Sequence, residues 1–172
     1  MRPEGVAAAA REIRRCTYAV RRLTTAPSLD VADEAWVDFL SHANRVYTKL
    51  RAASHGQGVD WMWWKRQMDE RRDDQLLSYI HHARNCDTHR LEPMTEHIDA
   101  GEGLTNIPGI GQVYYGSAAH LRPLPVTDKR ETYNPPSVHR GTEIAGADCG
   151  RIASLASEYL YALVSEAASR CR

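Results

Sequence analysis

Arg84 and His89 stand five residues apart in the stretch Tyr79-Ile80-His81-His82-Ala83-Arg84-Asn85-Cys86-Asp87-Thr88-His89. An arginine stays cationic and grips phosphate oxygens through a planar fork, while an imidazole with an ordinary pKa of about 6.5 exchanges protons at neutral pH. Together they make a candidate site for metal-free phosphoryl chemistry on nucleic acid, with no cofactor expected. Five residues turn an α-helix through about 500°, so the two side chains sit about 140° apart, near in height but off one common face. A single straight helix leaves the pair incomplete. A slight kink, or a second copy of the helix from another subunit, brings cation and imidazole around one phosphate. Asn85 lies four residues before His89 and shares its face, adding an uncharged hydrogen-bonding neighbour. His89 is the one histidine of eight with an arginine five positions earlier, although 22 basic residues make such a spacing easy to meet by chance.

The segment that must carry these groups reads as helix. Asp73 or Asp74 opens it, Leu76, Leu77, Tyr79, Ile80, Ala83 and Cys86 point inward, and Pro93 stops it. His81, Arg84, Asn85, Thr88 and His89 follow helical steps on its polar side, where glutamate and lysine are the ordinary occupants. This run of hydrogen-bonding groups is suited to holding a phosphate.

Three further helices supply the scaffold. Val6, Ala9, Ala10, Ile13, Cys16, Val20 and Leu23 predict a first helix over about 4–24, with a basic side of Arg11, Arg14, Arg15, Arg21 and Arg22 that reads as a solvated face or an RNA-backbone patch. After a break, Ser28 or Asp30 caps a second, whose stripe of Ala35, Trp36, Phe39, Leu40, Ala43, Val46, Tyr47 and Leu50 makes it the central core helix. His42 and Asn44 on it read as surface or capping groups. Asp60 is expected to cap a short helical turn holding Trp61, Trp63 and Trp64, which cover the end of a bundle or stack on bases. A last helix, starting at Asp148 or as early as Thr142, closes the core through Ile152, Leu155, Tyr159, Leu163, Val164 and Ala167. Between them, 101–141 is rich in glycine and proline and predicts a β-hairpin or loop insertion of two or three short strands projecting from the bundle. The expected fold is therefore mainly α, a bundle of four to five helices with this small insertion, in one domain over 1–172.

Composition sets the bounds. Basic and acidic residues balance at 22 each, so no global field draws the chain to nucleic acid or to an anionic membrane, and any such site is a local patch. Cys16, Cys86, Cys149 and Cys171 are scattered without metal-ligand spacing and read as reduced thiols. The Ala7 to Ala10 run is too short for a secretory signal and no stretch approaches a membrane span, so a cytoplasmic location is expected.

The order of helices and the element Ala83-Arg84-Asn85 followed by His89, an R-x4-H motif with a polar residue straight after the arginine, resemble the HEPN superfamily (higher eukaryotes and prokaryotes nucleotide-binding). The resemblance covers roughly 30–92 and the last helix. It implies a dimer in which two motifs face each other, with His89 as acid/base group, Arg84 on the scissile phosphate and Asn85 orienting His89 or the substrate. His81 and Thr88 would support that face. The activity implied is metal-independent cleavage of RNA by its own 2′-hydroxyl, leaving a 2′,3′-cyclic phosphate and a 5′-hydroxyl. Many members are toxins or phage-defence effectors partnered with a nucleotidyltransferase-like antitoxin. The alternative is a non-catalytic bundle of the same type that binds a nucleotide or a protein. A metal enzyme using His81, His82, Asp87 and His89 is disfavoured, because 81 and 82 point apart on a helix and no HxxxH or ExxH spacing links the four.

Overall fold

Apolar residues at steps of three and four build α1 (Pro3–Thr24), which buries Val6, Ala9, Ile13, Cys16 and Leu23. Pro3 and Glu4 occupy its first turn and Arg21 and Arg22 its last, as the helix dipole favours. A short turn leads to α2 (Leu29–Ala53), capped by Ser28 Oγ, which accepts from the Val31 N–H. The two run antiparallel and close together. Arg2 N donates to Ala53 O at 3.0 Å, and a Cβ on Gly5 would lie 2.7 Å from that of Ala53, so a side chain there would force the helices apart. Trp36, Phe39, Leu40, Val46 and Leu50 are buried along α2, which makes it the central helix. The chain is a computed structural model that describes residues 1–54, 56, 58–89, 93–99, 102–107, 111–116 and 119–171, and for 87–89, 102–107 and 111–116 the backbone alone.

α3 (Gly58–Asp73) is a full helix rather than the short turn expected around the tryptophans. It buries Trp63, Trp64 and Gln67, leaves Val59 and Met62 exposed and is charged over most of its second half, so it lacks the periodic stripe by which a helix is read from sequence. Asp60 does not cap it; its carboxylate takes the amino group of Met1 at 2.7 Å. Trp63 Nε1 donates to Glu166 Oε1 at 2.6 Å and Trp64 meets Tyr47 edge to face, so both rings belong to the bundle rather than to a stacking surface.

α4 (Gln75–His89) carries the motif, with Asp74 Oδ1 capping it by accepting from the Leu77 N–H at 3.0 Å. Leu76, Leu77, Tyr79, Ile80, Ala83 and Cys86 are all buried, as their spacing requires. α5 (Cys149–Ser169) begins under an Asp148 cap and fills the core with Ile152, Ala156, Leu160, Leu163 and Val164. Leu155, expected inside, is partly exposed.

The insertion is larger than expected and begins earlier. Strands β1 (Thr95–Ile98), β2 (Glu102–Ile107), β3 (Gly111–Gly116) and β4 (His120–Pro123) pair as β1 with β4 and β2 with β3, in one common register. Two small hairpins follow, β5 (Val126–Asp128) with β6 (Glu131–Tyr133) and β7 (Val138–His139) with β8 (Thr142–Glu143). Strands of two or three residues carry too few alternating positions to be read from sequence. The fold is mainly helical with small antiparallel strand pairs, and among the described residues no helix is long and apolar enough to cross a membrane.

Candidate functional site

α4 is held at two points by hairpins that arrive from the insertion. At its start, Asp74 accepts from His139 Nδ1 at 3.0 Å and from the Arg140 N–H at 2.9 Å, in addition to the Leu77 N–H. Half-way along, Asp128 at the end of β5 places Oδ2 2.8 Å from His82 Nδ1 and 2.9 Å from Asn85 Nδ2, the amide donating. Cys86 and Tyr79 add bonds to the Thr127 and Leu124 carbonyls of the same segment. The polar side of α4 is thus partly covered by β5 and β6.

The hairpin that supplies Asp128 turns through Lys129 (φ 49°) and Arg130 (φ 73°). Two successive positive φ values match the twist of a two-residue hairpin but favour Asn-Gly, and each strains a side-chain-bearing residue. The strained turn delivers Asp128 to α4, where the bonds from His82 and Asn85 hold it. Those two bonds, Asn85 first, keep the Asp128 carboxyl below the usual carboxylate range. His82 lies flat on the Tyr133 ring at 3.5 Å and beside His81 at 4.9 Å. The Asp128 carboxylate holds Nδ1 of His82, so Nε2 is the ring nitrogen left outside that contact.

Of the residues singled out by the motif, Arg84 is half-buried and close enough for its charge to act on His81. Asn85 gives its amide to Asp128. The side chains of Thr88 and His89 lie outside the described residues, although the helical backbone runs to His89. His81 is largely buried with no hydrogen-bond partner on Nδ1. Burial, then the charges of Arg71, His82 and Arg84, push its pKa down to about 4, so its ring is neutral at physiological pH.

His42 also departs from expectation. It is a tie between helices, with Nδ1 2.7 Å from Oε2 of the buried Glu12 on α1. The basic side of α1 is partly neutralised, since Arg15 pairs with Glu12 and Arg22 with Asp38. A cleft of about 560 Å³ is lined by Leu23, Pro27, His120, Asp148 and Arg151 and by no residue of α4, so it is separate from the motif. Among the described residues no three His, Cys, Asp or Glu side chains are arranged to hold a metal ion.

Local pattern gives no sign of the His82–Asp128–Asn85 cluster, because its members are 43 and 46 residues apart. The residual signal is an aspartate before Lys129-Arg130 in a segment of turn composition. Comparison of the chain with family models, with curated proteins and with solved structures finds no match.

Proposed function

We propose that the protein is a metal-independent endoribonuclease of HEPN type that works as a cytoplasmic homodimer, with α4 of each subunit near the two-fold axis. The observation that carries this reading is a half-buried Arg84 beside a pair of histidines on a helix pinned at Asp74 and at Asp128. A fixed helix keeps a cation and titratable rings in register, which phosphoryl transfer without a metal demands.

In the proposed step, the 2′-hydroxyl oxygen of RNA attacks its adjacent phosphorus and the bond to the 5′-oxygen breaks. His89 takes the hydroxyl proton, and His89 of the partner subunit, protonated, gives one to the leaving 5′-oxygen. Arg84 neutralises charge on the phosphorane oxygens. The products are a 2′,3′-cyclic phosphate and a 5′-hydroxyl. A role as toxin or phage-defence effector with a nucleotidyltransferase-like antitoxin follows from the resemblance alone.

One observation favours a second reading. The Asn85 amide is committed to Asp128, so the polar side of α4 also fits a non-catalytic nucleotide- or protein-binding module built around a structural tie. Cleavage of RNA in EDTA by wild type, His89→Ala, Arg84→Ala and Arg84→Lys separates the two. The ribonuclease reading expects chelator-resistant cleavage that is lost in His89→Ala and reduced on the order of 100-fold in both Arg84 variants, lysine lacking the fork. An all-deoxy substrate should be bound and left intact. A requirement for divalent metal, or cutting of the deoxy strand, would overturn it.

A further inference from the structure

Arg71 lies near the end of α3 with its guanidinium 4.5 Å from the centre of the Tyr47 ring on α2. Burial lowers its pKa from the ordinary arginine value, and among the described residues no carboxylate lies within ion-pairing distance of it. A largely buried cation without a counter-ion is an unfavourable arrangement that a bound anion relieves. The same notch is lined by Asn44 on α2 and by His81 on α4, whose Nδ1 has no hydrogen-bond partner. Two independent deficits therefore face one place: a guanidinium lacking an anion and an imidazole nitrogen lacking a partner.

We propose that Arg71, His81 and Asn44 form a phosphate-binding subsite at the junction of α2, α3 and α4, one that takes a phosphodiester or phosphomonoester group of a nucleic acid or nucleotide. The enclosed room beneath these side chains is about 10 Å³, enough for about one water. The anion therefore sits at the mouth, on the guanidinium, rather than inside. Charges on three elements act on His81. Arg71 on α3 and His82 and Arg84 on α4 oppose its protonation, and Asp128 on β5 favours it, less than Arg71 or His82 opposes it. A dianion at the notch reverses this balance, because His81 can then protonate and donate from Nδ1. Since His81 adjoins His82 and feels Arg84, the subsite sits next to the proposed reaction centre and deepens that reading while making a separate claim about binding.

The test follows the imidazole signals of His81 in the intact chain by ¹H–¹⁵N NMR over a pH series, with and without inorganic phosphate at constant ionic strength. Phosphate is expected to raise the His81 midpoint by about one pH unit, the mark of roughly tenfold tighter binding to the protonated ring. Arg71→Met should abolish that rise and Arg71→Lys should retain part of it. Circular dichroism confirms that both variants fold. Displacement of phosphate by an oligoribonucleotide identifies a nucleic-acid backbone as the natural source, and displacement by a nucleoside monophosphate alone identifies a nucleotide. An unchanged His81 midpoint in wild type overturns the subsite, whatever the variants do. The cleavage assay is independent. Phosphate binding without cleavage would sink the ribonuclease reading and leave the subsite standing, and cleavage without a phosphate effect would do the reverse.

Discussion

Two short hairpins meet α4 through one histidine–aspartate pair each, and the two pairs differ in what else the carboxylate holds. Asp74 spends both oxygens on the Leu77 and Arg140 backbone N–H groups as well as on His139. Its histidine is buried at 9% exposure with its edge towards Tyr159. Asp128 uses Oδ2 for His82 and Asn85, side chains both, and its histidine lies flat on Tyr133 at the surface. A carboxylate saturated by backbone donors is a cap and a rivet. One held by side chains alone engages one imidazole nitrogen and leaves the second outside that contact. The turns differ too. The β7–β8 turn places a glycine at its second positive-φ position, Arg140-Gly141, whereas the β5–β6 turn makes do with Lys129-Arg130.

The sharpest way to break this comparison is to remove each carboxylate. Asp74→Ala is expected to lower unfolding free energy by about 3 kcal/mol, because it leaves the buried His139 and two backbone N–H groups without their acceptor and uncaps α4. Asp128→Ala should lower it by about 1 kcal/mol, its partners being side chains with access to water. Denaturant unfolding of both variants measures the difference. Equal losses would mean that the two pairs do the same structural work.

The pH dependence sharpens the contrast. Burial pushes the Asp74 carboxyl up, but hydrogen bonds from His139 and from the Leu77 and Arg140 N–H groups outweigh it, so the net shift is downward, as it is for Asp128. A carboxyl depressed in the folded state contributes stability that is present above its unfolded pKa of about 4 and disappears as pH falls through the folded value. Asp74→Asn should flatten this acid limb more than Asp128→Asn does. His81, with its pKa down at about 4, behaves differently. The unfolded chain takes up its proton from about 6.5 downward, so His81 weakens the fold progressively from there to the folded value, and His81→Gln should remove that slope. Thermal unfolding across the acid range reads both effects, and an unchanged slope in His81→Gln would contradict a neutral buried ring.

The smallest expected effect lies in the turn. Arg130→Gly should stabilise by roughly 0.5–1 kcal/mol, since relief of the positive-φ strain exceeds the added freedom of the unfolded chain. Gly141→Ala should do the opposite, its φ of 80° being one that a Cβ resists. If Arg130→Gly destabilises instead, the arginine side chain contributes more to the hairpin than its backbone loses.

Elements whose signals are local are legible in the residues alone. The stripe from Trp36 to Leu50 and the inward row from Leu76 to Cys86 act within one or two helical turns, so side-chain period was enough to find them, while hydrogen-bonding type narrowed the helix starts to Ser28 or Asp30, Asp73 or Asp74, and Thr142 or Asp148, of which the structure takes Ser28, Asp74 and Asp148. The motif on α4 was visible for the same reason, as a helical order of Arg84, Asn85 and His89. What sequence could not reach was anything decided by residues far apart along the chain. α3 is a full helix because its two buried tryptophans find α2 and Glu166 on α5, and no periodicity announces it. The partner of His82 is an aspartate 46 residues away, brought in by a strained hairpin, and the partner of Asp74 is a histidine 65 residues away. Whether a histidine is a rivet or a ring beside a cation depends on which carboxylates, cations and aromatic faces surround it. Those neighbours are set by packing, because the energy of a charge or a hydrogen bond depends on distance through space and on the water excluded around it, and separation along the chain fixes neither.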